Sequence, residues 1–155
     1  MKLQIVAVTH RQPDWVVEGC AEYTKRMPRE LAVSITVIKP ETRGSKTREQ
    51  LMASEKTRIR SAVPAGVYLV ALDERGADLT TKKLAERLEA WMQEGRDVAF
   101  LIGGADGLDP ELKLEAAEMI RLSSLTLPHG MAKLILCEQL YRAVSVLKNH
   151  PYHRE

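Results

Sequence analysis

A chain of 155 residues, 45% apolar and 28% charged, has the length and balance of one globular domain, too short for a catalytic domain with an appended RNA-binding module. Its net charge of +2 is not that of a strongly basic, non-specific nucleic-acid binder. No stretch approaches the roughly 20 apolar residues of a membrane span, and Leu3–Val8, followed at once by His10 and Arg11, is too short for a signal peptide, so a cytoplasmic protein with no membrane partner is expected.

Leu3, Ile5 and Val6 with Ala7 and Val8 form the short apolar run of a strand buried on both faces. Pro13 then stands at a helix start, and Val16, Cys20, Tyr23 and Met27 line one face of a helix that ends at Pro28. Val33, Ile35, Val37 and Ile38 predict a second strand, stopped by Pro40 and followed by a polar loop around Gly44. A basic helix is expected from about Thr47 to Ala62. Past Pro64 and Gly66, the continuous run Val67–Leu72 predicts a central strand. A helix capped by Thr80 or Thr81 presents Leu84, Leu88 and Trp91 on one face and closes at Gly95.

Val98–Ile102 is a further buried strand running straight into Gly103, Gly104, Ala105, Asp106 and Gly107. A short helix from Pro110 to about Glu118 leads to Leu122–Leu127, ended by Pro128, and a last helix spans about Met131–Leu147. Strands alternating with helices predict a single α/β domain over residues 1–155 with a mainly parallel sheet. The last helix is apolar around most of its circumference, so it must be buried on more than one side, and a subunit interface is a natural second surface.

Several residues could carry chemistry. Glycines after a buried strand let backbone approach a ligand closely, although Gly103, Gly104 and Gly107 match neither a dinucleotide fingerprint nor a P-loop, and a tight turn explains them as well. In Leu122-Ser123-Ser124-Leu125-Thr126-Leu127-Pro128-His129, hydroxyls alternate with leucines, a composition that suits the edge and faces of a heterocycle such as adenine. Both loops would follow parallel strands, where open α/β sheets bind ligands. Glu138 and Arg142 either pair along the last helix or aim Arg142 at the site. The tail holds His150, Tyr152, His153 and Arg154, groups able to stack on a base or exchange a proton. Cys20 and Cys137, distant in sequence and without metal spacing, read as buried free thiols. The seven basic residues between Lys39 and Arg60, against three acidic ones, are either a phosphate-contacting segment or a solvated helix face.

Taken in order, Leu101-Ile-Gly-Gly-Ala-Asp-Gly-Leu108, Leu122-Ser-Ser-Leu-Thr-Leu-Pro-His129, Glu138-Gln-Leu-Tyr-Arg-Ala143 and Tyr152-His153 resemble the bacterial ribosomal large-subunit pseudouridine N3-methyltransferases of the SPOUT superfamily. The likeness extends to the opening Met1–Val8 and to Pro13-Asp-Trp15, and so covers nearly the whole chain. It implies a SPOUT fold whose C-terminal segment forms a deep trefoil knot, working as a homodimer. It further implies S-adenosylmethionine as methyl donor, contacted by Leu72, Gly103, Leu122, Ser123, Ser124, Leu125, Thr126 and Leu127; no metal is expected, since His150 and His153 alone give too few ligands. The implied substrate is a pseudouridine in 23S ribosomal RNA, presented by the assembled ribosome. Under that resemblance His129 or His153 assists deprotonation of N3, Arg142 steadies the developing charge, and Tyr152 positions the nucleotide. The competing readings are a non-enzymatic ribosome-associated factor and a related enzyme acting on transfer RNA.

Overall fold

The computed structural model describes residues 1–153. Leu3–Val8 (β1), Val33–Ile38 (β2), Tyr68–Asp78 (β3), Val98–Ile102 (β4) and Glu118–Arg121 (β5) form one sheet, ordered β2-β1-β4-β3-β5 and parallel throughout. The helices are Asp14–Thr24 (α1), Arg48–Ala62 (α2), Thr81–Glu94 (α3), Pro110–Glu115 (α4) and His129–Leu147 (α5), with a 3-10 turn at Arg29–Leu31.

Strand alternation sorts the core into two layers, as the period of two requires. Leu3, Ile5, Ala7, Phe100 and Ile102 pack with Val16, Cys20, Leu88, Trp91, Leu136 and Leu140, placing α1, α3 and α5 on one face. Val6, Val8, Ala99 and Leu101 pack with Ile59, Leu108 and Leu112 of the α2 and α4 side on the other. All five residues of β4 are buried, as a central parallel strand covered on both faces demands.

Local chemistry sets the helix ends. Thr47 accepts from the Gln50 amide while Gln50 returns a bond to the Thr47 amide, a reciprocal cap on α2. Thr80 caps α3 at its start, and Gly95, at φ 71°, ends it in a left-handed conformation.

Two expectations need correction. The helix after Pro110 ends at Glu115 and not near Glu118, because Ala117 donates to Leu69 O and residues 118–121 join the sheet edge, so tertiary pairing overrides the helix preference of Glu and Met. The stretch Leu122–Leu127 accordingly lies wholly in the loop after β5. Secondly, β3 runs on to Asp78: Leu72 and Ala77 both register with Ile120, so residues 73–76 bulge out of the ladder. Gly76 permits this, since a Cβ there would stand 2.6 Å from the Ile120 carbonyl carbon. Helix α5 buries much of its apolar surface within the chain, between α1 and α3 and against the sheet, while Leu134, Ile135 and Tyr141 stay half-buried.

Helices α1 and α5 run side by side in the same direction. Gly130 faces Gln12 and Val16, Gly19 faces Leu134, and the ring of Tyr23 lies 6.3 Å from that of Tyr141. Cys20 and Cys137 thus meet between the helices, both buried and free. The Cys137 thiol, donating to Cys20, lowers the Cys20 pKa to about 7, while the same bond and burial push Cys137 up.

Candidate active site

Because Leu72 and Ile102 are ladder partners, and Leu72 also registers with Ile120, the bulge of β3 and the ends of β4 and β5 lie at one level. The three loops that follow, 73–76, 103–107 and 122–127, therefore converge. They enclose a cleft of about 700 Å³ at the carboxyl ends of the strands. Leu72, Gly103, Leu122, Ser123, Leu125, Thr126, Leu127 and His129 all line it; Ser124 belongs to the same loop but does not line the cavity.

The glycine loop is held by its own geometry. Gly107 donates to Gly104 O at 3.0 Å and adopts φ +83°. A Cβ on Gly103 would lie 2.5 Å from the Gly107 carbonyl carbon, so Gly103 is glycine because the loop folds back onto it. The tight-turn explanation of this glycine is thus met, and the same turn forms a wall of the cleft.

The hydroxyl loop differs in kind. Ser123 Oγ accepts from the Leu125 amide at 2.9 Å, but among the described residues no backbone-to-backbone hydrogen bond engages 123–127. Leu125 stands 77% exposed at the mouth. Peptide groups without backbone partners beside the exposed Leu125 and the half-buried Leu122 and Leu127 are what a flat heterocycle with a polar edge would occupy.

Sequence reasoning missed the charges around this cavity. Asp73, Glu74, Arg75, Lys113, Arg121, Arg48 and Asp106 line it. Lys113 Nζ lies 2.7 Å from Asp73; burial opposes the Asp73 charge, yet Lys113 holds its carboxyl below the usual range. Asp106 takes Arg43 at 3.0 Å and Arg48 at 3.7 Å. A polar residue directly after a buried strand, as Asp73 follows Leu72, is the one signal that could have flagged part of this set; Lys113 and Arg48 arrive only through folding.

Arg142, Tyr152 and His153 lie elsewhere. Arg142 bonds Glu138 at 2.5 and 2.6 Å, the first of the two alternatives that the spacing allows. Its guanidinium sits 4.9 Å from the Tyr152 ring centre, and the Tyr152 hydroxyl donates to Glu138 at 3.2 Å. Tyr141 meets Tyr152 edge-on at 4.7 Å, and Tyr23 of α1 with Arg26, just past the end of that helix, completes an aromatic and cationic cluster. Burial and the neighbouring Tyr23 and Glu138 raise the Tyr152 pKa, keeping its hydroxyl a donor. The tail through His153 folds back on α5, with His150 N donating to Ser145 O at 2.8 Å; Arg154 lies outside the described residues. His153 lines a small separate cavity with Lys82 and His150.

The basic segment is tied down by the chain's own acids. Lys46 and Arg58 both bind Glu41, Lys56 binds Glu111 at 2.9 Å, and Arg60 binds Glu115. Glu41, held by Lys46 and Ser54, has its pKa lowered to about 2. Among the described residues, no helix is long and apolar enough to cross a membrane.

A family profile described as "Predicted SPOUT methyltransferase" matches residues 1–153. The chain is 77% identical over 155 residues to the ribosomal RNA large subunit methyltransferase H of Dechloromonas aromatica (strain RCB), covering 100% of this chain and 99% of that one. It is 59% identical to the protein of the same name from Burkholderia ambifaria (strain MC40-6), covering 99% of each. Among solved structures, a methylase family protein from Haemophilus influenzae Rd KW20 superposes with a TM-score of 0.55 at 14% identity, covering 99% of this chain and 70% of that one. One from Neisseria gonorrhoeae gives 0.53 at 14%, covering 90% and 80%. The parallel sheet, the cleft at its carboxyl edge and the match along the whole chain lead to one assignment: this chain belongs to the SPOUT methyltransferase family.

Proposed function

We propose that this chain transfers a methyl group from S-adenosylmethionine to N3 of a pseudouridine in 23S ribosomal RNA, on the assembled ribosome and in the cytoplasm. The observation that carries the reading is the convergence of loops 73–76, 103–107 and 122–127 on one cleft, in a chain 77% identical end to end to a protein named for large-subunit ribosomal RNA methylation. Its cavity of about 700 Å³, its loop peptides without backbone partners among the described residues and its apolar residues Leu72, Ile102, Leu122 and Leu127 fit a nucleoside-sized donor. When bound, that donor supplies an electrophilic methyl on a sulfonium.

The chain's own residues then have three tasks. The loops fix the donor by apolar contact and backbone hydrogen bonds, which lowers the barrier by orientation. His129, at the cleft wall where α5 begins, takes the imide proton as N3 attacks, with His153 as its rival for that role. Arg142 and Tyr152 hold the pyrimidine and its developing negative charge.

A single protomer does not bring these tasks together. Arg142 lies thirteen residues beyond His129 on α5, about 20 Å along the helix. A homodimer packed antiparallel through α1 and α5 would set the Arg142–Tyr152 cluster of one protomer beside the partner's cleft. Trp15 and Val17, 57% and 52% exposed near the cleft end of α1, supply apolar area for such a self-complementary contact. The knotted C-terminal segment belongs to the same family-based reading.

The test is methylation of ribosomes lacking the modification, followed by mass spectrometry of the digested RNA. Label must appear at pseudouridine N3; label at any other base, or none, ends the proposal. Mixing an Arg142→Ala protein with a Leu125→Asp protein tests the shared site, because a heterodimer keeps one complete cleft. Restored activity supports it, and a mixture no better than its parts ends it.

A further inference from the structure

We infer that Arg121 is the anchor for the carboxylate of the donor's amino-acid half, an inference that rests on the cleft being the donor site. Four cations line the cleft, and three have other circumstances. Lys113 is committed to Asp73, Arg48 is 62% exposed and donates to the Asp106 carbonyl at 3.3 Å, and Arg75 is exposed on the bulge. Arg121 is the last residue of β5, directly before the hydroxyl loop. Its Nε is buried and, among the described residues, has no hydrogen-bond acceptor. Among the described residues its one carboxylate contact is Nη2 to Asp78 at 3.4 Å, and Asp78 is itself 66% exposed.

A buried N–H of a charged group without an acceptor is costly, and the cleft is where an acceptor can arrive. Guanidinium and carboxylate match as planar forks, so an incoming carboxylate can take Nε together with a terminal nitrogen. A nucleic-acid phosphate shares that chemistry, but a polymer backbone reaches a buried Nε less readily than a small molecule lying inside the cleft. The amino-acid half of S-adenosylmethionine carries the one carboxylate of that molecule, and Lys113 and Arg48 already have partners. Arg121 is thereby a specificity residue, separating the full donor from an analogue without the carboxylate.

The experiment is calorimetric titration of the full-length protein with S-adenosylmethionine and with its decarboxylated analogue, repeated on Arg121→Gln and Arg121→Lys. Unfolding without ligand monitors the fold. The unaltered protein should prefer the full donor, and Arg121→Gln should lose about tenfold or more in affinity for it while binding the analogue as before. Arg121→Lys, with charge but no fork, should fall between. Equal weakening of both ligands, or of neither, overturns the inference while leaving the donor site in place. If donor affinity is unchanged and ribosome affinity drops with a shallower salt dependence, the anion is a phosphate and the inference fails. If the unaltered protein binds neither ligand, the reading of the cleft fails as well.

Discussion

Gly103 packs its Cα against the backbone of Gly107 so closely that an added Cβ would stand 2.5 Å from the carbonyl carbon and 2.6 Å from the Leu108 nitrogen. The contact is backbone to backbone, so no side chain can move aside. Gly103→Ala should therefore destabilise the free protein by roughly 1–3 kcal/mol, as overpacked sites do. Urea unfolding without donor measures this, and an unchanged midpoint would contradict the close approach. The same geometry means that lost donor binding in a Gly103 variant reports a broken turn as readily as a lost contact; Leu125, exposed and outside any packing, is the cleaner probe.

Glu118 joins β5 to α3 by accepting from Tyr68 at 2.7 Å, Trp91 Nε1 at 3.0 Å and Arg87 Nε at 2.9 Å. Burial opposes its charge, but these donors win and hold its pKa below 4.5. A carboxyl with a depressed folded pKa stabilises above its unfolded value and loses that contribution as pH falls through the folded one. Stability should thus fall below about pH 4.5, and Glu118→Gln should flatten that acid limb while costing roughly 1–3 kcal/mol at neutral pH. Denaturation curves between neutrality and acid decide it; an equally steep limb in the variant assigns the acid sensitivity to other groups.

Much of this architecture is legible in the sequence because burial writes itself as periodicity. Val98–Ile102 is apolar throughout and is central; Leu84, Leu88 and Trp91 keep helical spacing and face the core. Residues 118–121 were not legible as a strand, because Glu-Met-Ile-Arg is short, edge-bound and made partly of helix formers. In the site, the hydroxyl and glycine loops stand out by composition, while Lys113 and Arg48 line the cleft only through contacts between distant segments. The meeting of Cys20 with Cys137 and the closure of the basic segment on Glu41, Asp106, Glu111 and Glu115 are tertiary facts with no local signature.

Arg142 binds Glu138 while covering the Tyr152 ring, so removing it alters both partners. In the proposed reaction this cluster meets the nucleotide and not the donor. Arg142→Ala should lower single-turnover methylation by roughly 100-fold, with donor affinity within about twofold by calorimetry. A matching loss of donor affinity would move Arg142 into the donor site and refute the division of labour between the two clusters.

Between α1 and α5, Cys137 donates its thiol proton toward Cys20, whose pKa is lowered to about 7 mainly by that bond. Cys137→Ala removes the donor, so the Cys20 thiol should return toward the ordinary range. Thiolate absorbance followed from pH 6 to 10 will show whether the ionisation near neutrality moves upward. A curve unchanged by the substitution would show that the hydrogen bond is not its cause.

Arg43 and Arg48 converge on Asp106, in the wall of the cleft, and are 61% and 62% exposed. Exposed pairs contribute at most about 1 kcal/mol each, so Arg43→Gln with Arg48→Gln should unfold almost as the unaltered protein does. Water-facing guanidiniums remain accessible to phosphate oxygens, which compete with Asp106 as acceptors. If ribosomal RNA uses them, the double substitution weakens ribosome binding and reduces the slope of log affinity against log salt by about one per lost phosphate contact. Charge reversal would confuse the result, since a carboxylate at position 48 would also repel Asp106 and disturb the glycine loop. An unchanged salt slope with full donor binding would assign both arginines to fastening α2 against that loop, and the RNA surface would have to be sought on the Arg142–Tyr152 side.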